Sequence, residues 1–356
     1  MKNLFIACTP YQCINATAIA LEKNNDINDL LIIKNFNVNK DLLKNLEKIF
    51  TNIYYIDNIL LSDKTLFSKL QRDKKLKDEM LFLKEVLIGN EYNTVFAATE
   101  FFIYSQFFIK SLLKTGARYV HYEDGSFEYA EAKVIRDISK LRIIKELRWY
   151  MKLKSKFDFY EYPAQPDWVS EILLTFPDNC RTELELKKRN LINHQNFMQA
   201  IKHLFPVQQN INSEVLVCLD LGNTNQDVIE QNQLICKVLK DLEISTAIKY
   251  HPRELDENEY ILNYSNEVID KSLPFEGVYI NFNGILIANM SSTLHTAKFI
   301  APDNVIICTA LLTQKQGIDL SYINFLDKIG VKLPKTFEEF KKILLEIKQK
   351  GDGKFE

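Results

Sequence analysis

What most limits the folds open to this chain is an alternation that occurs twice. Short β-branched and aromatic runs read as strands at Leu4–Cys8, Leu30–Lys34, Ile53–Ile56, Thr94–Ala98 and Ala117–Tyr122. Stretches of helical period separate them, at Gln12–Lys23, Lys40–Ile49, Leu66–Ile88 and Phe101–Lys114. The pattern restarts with strands expected at Glu214–Leu219, Ser245–Tyr250, Glu267–Ile269, Gly277–Ile280, Ile285–Ala288 and Asn304–Cys308. A helix is expected at Gln226–Leu242 and an amphipathic closing helix at Phe337–Lys350. Strand–helix alternation builds a parallel sheet with helices on both faces, so two α/β halves are expected. The length of 356 residues fits that count, at roughly 150 residues per domain.

The join is marked by proline. Glu161-Tyr-Pro-Ala-Gln-Pro-Asp167 carries two prolines within four residues, and Pro206–Asn212 reads as a second hinge. The expected division is therefore a first domain over 1–165, a helical connection over 166–212, a second domain over 213–335, and a closing helix with tail over 336–356.

Charge and cysteines remove several functions. With 45 Lys and Arg against 47 Asp and Glu, a net charge of −2 offers no field for a polyanion, so nucleic acid is not an expected partner. The six cysteines form no C-x-x-C pair, and Cys8, Cys218, Cys236 and Cys308 sit in apolar runs, as small buried hydrophobes do. The N-terminal apolar run before Thr9-Pro10 is too short for a signal peptide, and no stretch reaches the length of a spanning helix. A cytoplasmic protein is expected. Residues 133–156 carry nine Lys or Arg among Leu, Ile, Trp149 and Tyr150. Such a stretch suits peripheral contact with the anionic inner face of the cytoplasmic membrane, or a solvated helix covering a sheet.

In open α/β sheets ligands gather at the carboxyl ends of strands. Polar clusters follow several expected strands: Thr9-Pro10-Tyr11-Gln12, Glu123-Asp124-Gly125-Ser126, Asp220-Leu221-Gly222-Asn223-Thr224-Asn225, Lys249-Tyr250-His251-Pro252 and Asn289-Met290-Ser291-Ser292-Thr293. In Glu123-Asp124 the two side chains diverge, so one carboxylate can serve as a general base while the other braces the loop. An ordinary Asp-Gly surface turn reads equally well there. Lys249 and His251 share a face of an extended strand and suit a phosphate or a leaving oxygen. Ser291 and Ser292 precede a helix, where hydroxyls and free amides hold anions or simply cap. His295, inside that helix, reads as structural. P-loop, dinucleotide, zincin and nucleophile-elbow motifs are absent, as is Asp-x-Asp, so no metal is expected; if a nucleotide sugar binds here, protein cations and dipoles must offset its charge, which points to a donor with one phosphate.

The order of Thr9-Pro10-x-Gln12, Glu123-Asp124-Gly125, Lys249-x-His251-Pro252, Leu273-Pro274-x-Glu276 and Ser291-Ser292 resembles the bacterial sialyltransferases of GT-B type. It is similar to the lipooligosaccharide and capsular enzymes of glycosyltransferase family 52 and to the related polysialyltransferases. Tyr122–Tyr129 also resembles the multifunctional marine-type sialyltransferases. The resemblance implies two Rossmann-like domains facing each other across a central cleft. It implies inverting, metal-independent transfer of sialic acid from CMP-sialic acid to a galactose-type or sialic-acid acceptor of a surface glycan, either an oligosaccharide or a glycolipid.

By that resemblance Glu123 is the base, His251 donates to the departing CMP phosphate with Lys249 beside it, and Ser291 and Ser292 hold the phosphate. Glu276 takes the ribose hydroxyls, and Gly222 and Asn223 let the backbone approach the cytidine. Thr9, Gln12 and Asp124 belong to the surrounding loops. In some family 52 members the base lies after the first strand of the second domain, which leaves Asp220 and Asp227 as alternatives. A polysialyltransferase, a transferase of another CMP-linked acid sugar and a non-catalytic nucleotide- or glycan-binding module remain the other readings.

Overall fold

The structure is a computed structural model that describes residues 1–352 except 34, 35, 37, 57–65, 132–148, 150, 151, 207, 208, 220–225, 253, 255–258 and 313–318. The chain divides into two compact units, Met1–Pro206 and Val207–Glu356.

The first unit is built on strands β1 (Lys2–Ala7), β2 (Ile27–Ile33), β3 (Asn52–Ile56), β4 (Thr94–Ala97), β5 (Arg118–Tyr122), β6 (Val169–Leu174) and β7 (Arg189–Leu191). They lie in the order β3-β2-β1-β4-β5-β6-β7, and every pair is parallel. Helices α1 (Pro10–Glu22), α2 (Lys40–Leu46), α3 (Leu66–Gly89), α4 (Ile103–Leu113) and α5 (His194–Leu204) accompany them. Leu4, Phe5 and Ile6 of β1 are wholly buried one after another, as in a strand covered on both faces. Side chains of β1, β2 and β4 merge with Met80 and Leu87 of α3 and Phe107 and Phe108 of α4 into one core. Gly116 ends the approach from α4 to β5 at φ +93°, a conformation that favours glycine.

The second unit repeats the plan with β8 (Val215–Cys218), β9 (Thr246–Lys249), β10 (Glu267–Ile269), β11 (Ile285–Ala288) and β12 (Ile306–Cys308), ordered β10-β9-β8-β11-β12 and all parallel. Its helices are α6 (Gln226–Asp241), α7 (Glu259–Leu262), α8 (Phe275–Tyr279), α9 (Thr293–Ile300), α10 (Leu320–Lys328) and α11 (Phe337–Asp352). The closing helix belongs to this unit, since Phe340 and Leu344 are fully buried in its core beside Leu239 and Ile248. In both sheets the strand order reverses direction next to the first strand, between β1 and β4 and between β8 and β11. These are the addresses at which such sheets bind ligands.

Three expectations need correction. Residues 166–212 are not a helical connection: they supply β6 and β7 to the first sheet, and the division falls after Pro206. The proline pair read as a linker is a pinned turn instead. Ala164 is fully buried at φ +54° and donates its amide to Glu100 Oε1 at 2.5 Å. A hydrogen bond to a carboxylate, worth about 1.5–3 kcal/mol, offsets the roughly 1–2 kcal/mol that left-handed alanine costs. The strand expected at Gly277–Ile280 is helix α8. Pro274 opens it, and the rings of Phe275 and Tyr279, four residues apart on one helical face, stack with centroids 5.1 Å apart.

Candidate functional site

In the first unit the candidate residues converge on the carboxyl ends of β1, β4 and β5. Pro10 supplies the first turn of α1, and Thr9 Oγ1 caps it by accepting from the Gln12 amide at 3.1 Å. That cap leaves Gln12, wholly buried, free to point its side chain across the sheet edge. Its Oε1 accepts the Cys8 amide at 2.6 Å and its Nε2 donates to Asp124 Oδ1. Gln12 thereby ties the end of β1 to the loop that follows β5.

Glu123 and Asp124 diverge as two adjacent side chains must. Glu123 is fully buried. Its Oε1 accepts the Tyr11 hydroxyl at 2.5 Å, and its Oε2 accepts the Tyr129 hydroxyl together with the Thr175 amide and hydroxyl, both at 2.7 Å. With its acceptor capacity engaged by α1, β6 and its own loop, Glu123 is the brace. Asp124 is half-buried. Burial pushes its pKa up to about 7, helped by the nearby Glu128 carboxylate and opposed by Gln12 and His121. Its proton balance therefore lies near neutrality.

Behind Asp124 lies a buried charge cluster that no motif in the sequence singles out. His121 of β5 is wholly enclosed, with Nδ1 3.0 Å from Glu100 Oε2 and Nε2 3.1 Å from Glu128 Oε1. Burial alone would push the imidazole pKa down, but the two carboxylates raise it to about 10, so the ring is an imidazolium near neutral pH. Glu100 also accepts the Tyr119 hydroxyl at 2.8 Å, and its pKa is held low by His121 against the cost of burial. Glu128 accepts the backbone amides of Asp124 at 3.1 Å and Gly125 at 3.3 Å. Two signals for it stand in the chain. Thr99-Glu100 is a short polar pair just past β4, at another strand end, and Glu128 lies inside the Tyr122–Tyr129 segment.

The second unit places a different chemistry at the ends of β9 and β11. Lys249, the last residue of β9, is buried and donates from Nζ to the Asp270 carbonyl at 3.3 Å; burial lowers its pKa. Glu276, in the first turn of α8, is 8% exposed, and burial pushes its pKa up to about 7 against the pull of its own backbone amide and of Lys249. His251 is half-buried just past β9, in a turn closed by the Glu254 amide on its carbonyl at 2.9 Å. Beyond β11, Ser291 Oγ accepts the Thr293 amide at 3.3 Å while its carbonyl accepts the Tyr322 hydroxyl at 3.0 Å. Ser292, exposed at the start of α9, makes no side-chain cap bond. His295 is buried and paired with the Tyr322 hydroxyl at 2.8 Å, a structural position.

Asp220, Gly222 and Asn223 lie outside the described residues, as does the Asp227 side chain. So does most of the basic stretch. Of its described residues, Trp149 and Leu153 are buried in the first core, and Lys152 pairs with Asp73 at 2.8 Å. Among the described residues no helix is long and apolar enough to cross a membrane. No cluster of three or more His, Cys, Asp or Glu among them is placed to hold a metal ion.

No family model matches the chain, and no curated protein matches it. Solved structures do. The GT-B domain of a sialyltransferase from Photobacterium damselae matches 94% of this chain and 98% of its own, with a TM-score of 0.50 at 12% identity. A UGT of Arabidopsis thaliana complexed with UDP-L-rhamnose matches 93% of this chain and 84% of its own, with a TM-score of 0.50 at 9% identity. The chain has the two-domain GT-B fold.

Proposed function

We propose that this protein is a glycosyltransferase of inverting type that moves an acid sugar, sialic acid, from its CMP ester to a sugar hydroxyl of a surface glycan. One observation carries the reading. Asp124, half-buried at the carboxyl edge of a parallel sheet, has its pKa pushed up by burial to about 7, which suits a base that must take a proton from an alcohol. Asp124 therefore replaces Glu123 in that role. The likeness to a fold whose solved members include a sialyltransferase domain supports the choice of donor.

Asp124 takes the hydroxyl proton as the acceptor oxygen bonds to the anomeric carbon of the sialic acid. The bond from that carbon to the CMP phosphate oxygen breaks with its electron pair, and His251 donates a proton to the departing phosphate. Lys249 supplies a buried positive charge nearby, and Ser291 and Ser292 offer hydroxyls and the amides at the start of α9 to the phosphate oxygens. Glu276 accepts from the ribose hydroxyls. The test is incubation of the full chain with CMP-sialic acid and lactose or sialylated lactose in EDTA, with linkage analysis of products. Sialylated product is the expected result. Hydrolysis or transfer from UDP-sugars alone would overturn the choice of donor.

A further inference from the structure

The Glu100–His121–Glu128 cluster lies behind the site, and no step of the reaction above uses it. It is nonetheless costly: three ionised side chains stand buried in one place, and such groups survive only when paired and hydrogen-bonded. Each member is satisfied. Glu100 anchors to Tyr119 and the Ala164 amide, His121 spans the two carboxylates, and Glu128 spends its remaining acceptor capacity on two backbone amides. Those amides belong to Asp124 and Gly125, so the cluster ends on the backbone of the base itself.

We propose that Glu128 is the positioning residue of this site, its carboxylate locked on the His121 imidazolium and gripping the Asp124–Gly125 backbone so that the Asp124 carboxylate stands where an acceptor hydroxyl can reach it. Gln12 holds the same carboxylate from the other side, from α1. The charge that Glu128 carries acts along with its grip. Around Asp124 stand Glu128 from its own loop, Glu100 from the end of β4 and the His121 imidazolium from β5. Cys8 and Tyr122 also face it, both kept neutral by burial, and Gln12 is uncharged. Two fixed anions against one cation leave a net negative charge beside Asp124, which favours its protonated form.

The proposal rests on Asp124 as the base, and its test separates the two claims. In full-length protein with 13C-labelled aspartate, Asp124→Asn identifies the Asp124 carboxyl resonance, and its titration is followed in the wild type and in Glu128→Gln. Glutamine keeps one oxygen for the Asp124 amide, gives up the acceptor that takes the Gly125 amide and removes the charge, so the midpoint should fall by about one pH unit. Glu128→Asp keeps the charge but withdraws the carboxylate by one methylene, so the midpoint should stay while kcat falls about ten- to a hundredfold with acceptor KM little changed. An unmoved midpoint in a folded Glu128→Gln protein overturns the proposal, as does a wild-type kcat in Glu128→Asp. Failure of both variants to fold overturns it too, because Glu128 is then scaffold only. The titration needs no turnover, so a protein that transfers nothing still answers the question about Glu128.

Discussion

Replacing Asp124 by asparagine should remove activity and add stability, a pairing that a structural residue cannot show. The wild-type carboxyl has a pKa of about 7, against an ordinary value of ~3.9 in an unfolded chain. At pH 6 only ~10% of molecules would hold the base ionised, so kcat/KM should fall about tenfold per unit below pH 7. Asparagine cannot take the proton, and the expected loss is ~10²–10⁴-fold at pH 8. The same displacement sets the sign for stability. A group whose folded pKa is raised contributes stability that is fully present below about pH 4 and is lost as pH rises through about 7.

The gap between ~3.9 in the unfolded chain and about 7 in the folded protein is worth about 4 kcal/mol at most, and solvent screening of a half-buried residue reduces this to about 2 kcal/mol. Asparagine escapes that cost and still accepts from Gln12. The variant should therefore match the wild type in stability at pH 4.5 and exceed it by about 2 kcal/mol at pH 8. For a unit of this size that is roughly 4–8 °C in melting temperature. Transfer assays across pH 5.5–9, with thermal unfolding at both pH values, provide the measurement. Ordinary turnover at pH 8, or a variant less stable than the wild type there, would refute the assignment.

Glu123→Gln should do the reverse: a single amide oxygen cannot replace two carboxylate oxygens that take four hydrogen bonds, so urea denaturation should show a loss of about 2–4 kcal/mol while kcat per folded molecule stays within tenfold. Glu276→Gln should weaken CMP binding in calorimetry by about tenfold, and the weakening of wild-type binding as pH falls through about 7 should be smaller in the variant. Gly284→Ala would set a methyl 2.4 Å from the Glu214 carbonyl oxygen and 2.5 Å from Phe282, so the second unit should lose about 2 kcal/mol or more by denaturation, with the first unit unchanged.

The sheets were legible because a strand buried on both faces writes its burial into consecutive letters, as Leu4-Phe5-Ile6 does. The boundary was not, because Pro163 and Pro166 report local stiffness and nothing of their surroundings. What turns that segment into a buried turn is Glu100, more than sixty residues earlier, taking the Ala164 amide.

The same asymmetry governs the site. Sequence could establish that Glu123 and Asp124 point apart and that one of them braces the loop. It could not decide which, since the choice belongs to Tyr11, Tyr129 and Thr175, contributed by α1, the following turn and the end of β6. A carboxylate is a base only when its neighbours leave it short of hydrogen bonds and within reach of substrate. Glu123 is surrounded by four donors, whereas Asp124 faces Gln12 on one side and a net negative cluster behind it. The burial that saturates the first acid and the like charge that lifts the second are properties of the assembled edge, and the proposed role of base goes to Asp124 on that ground.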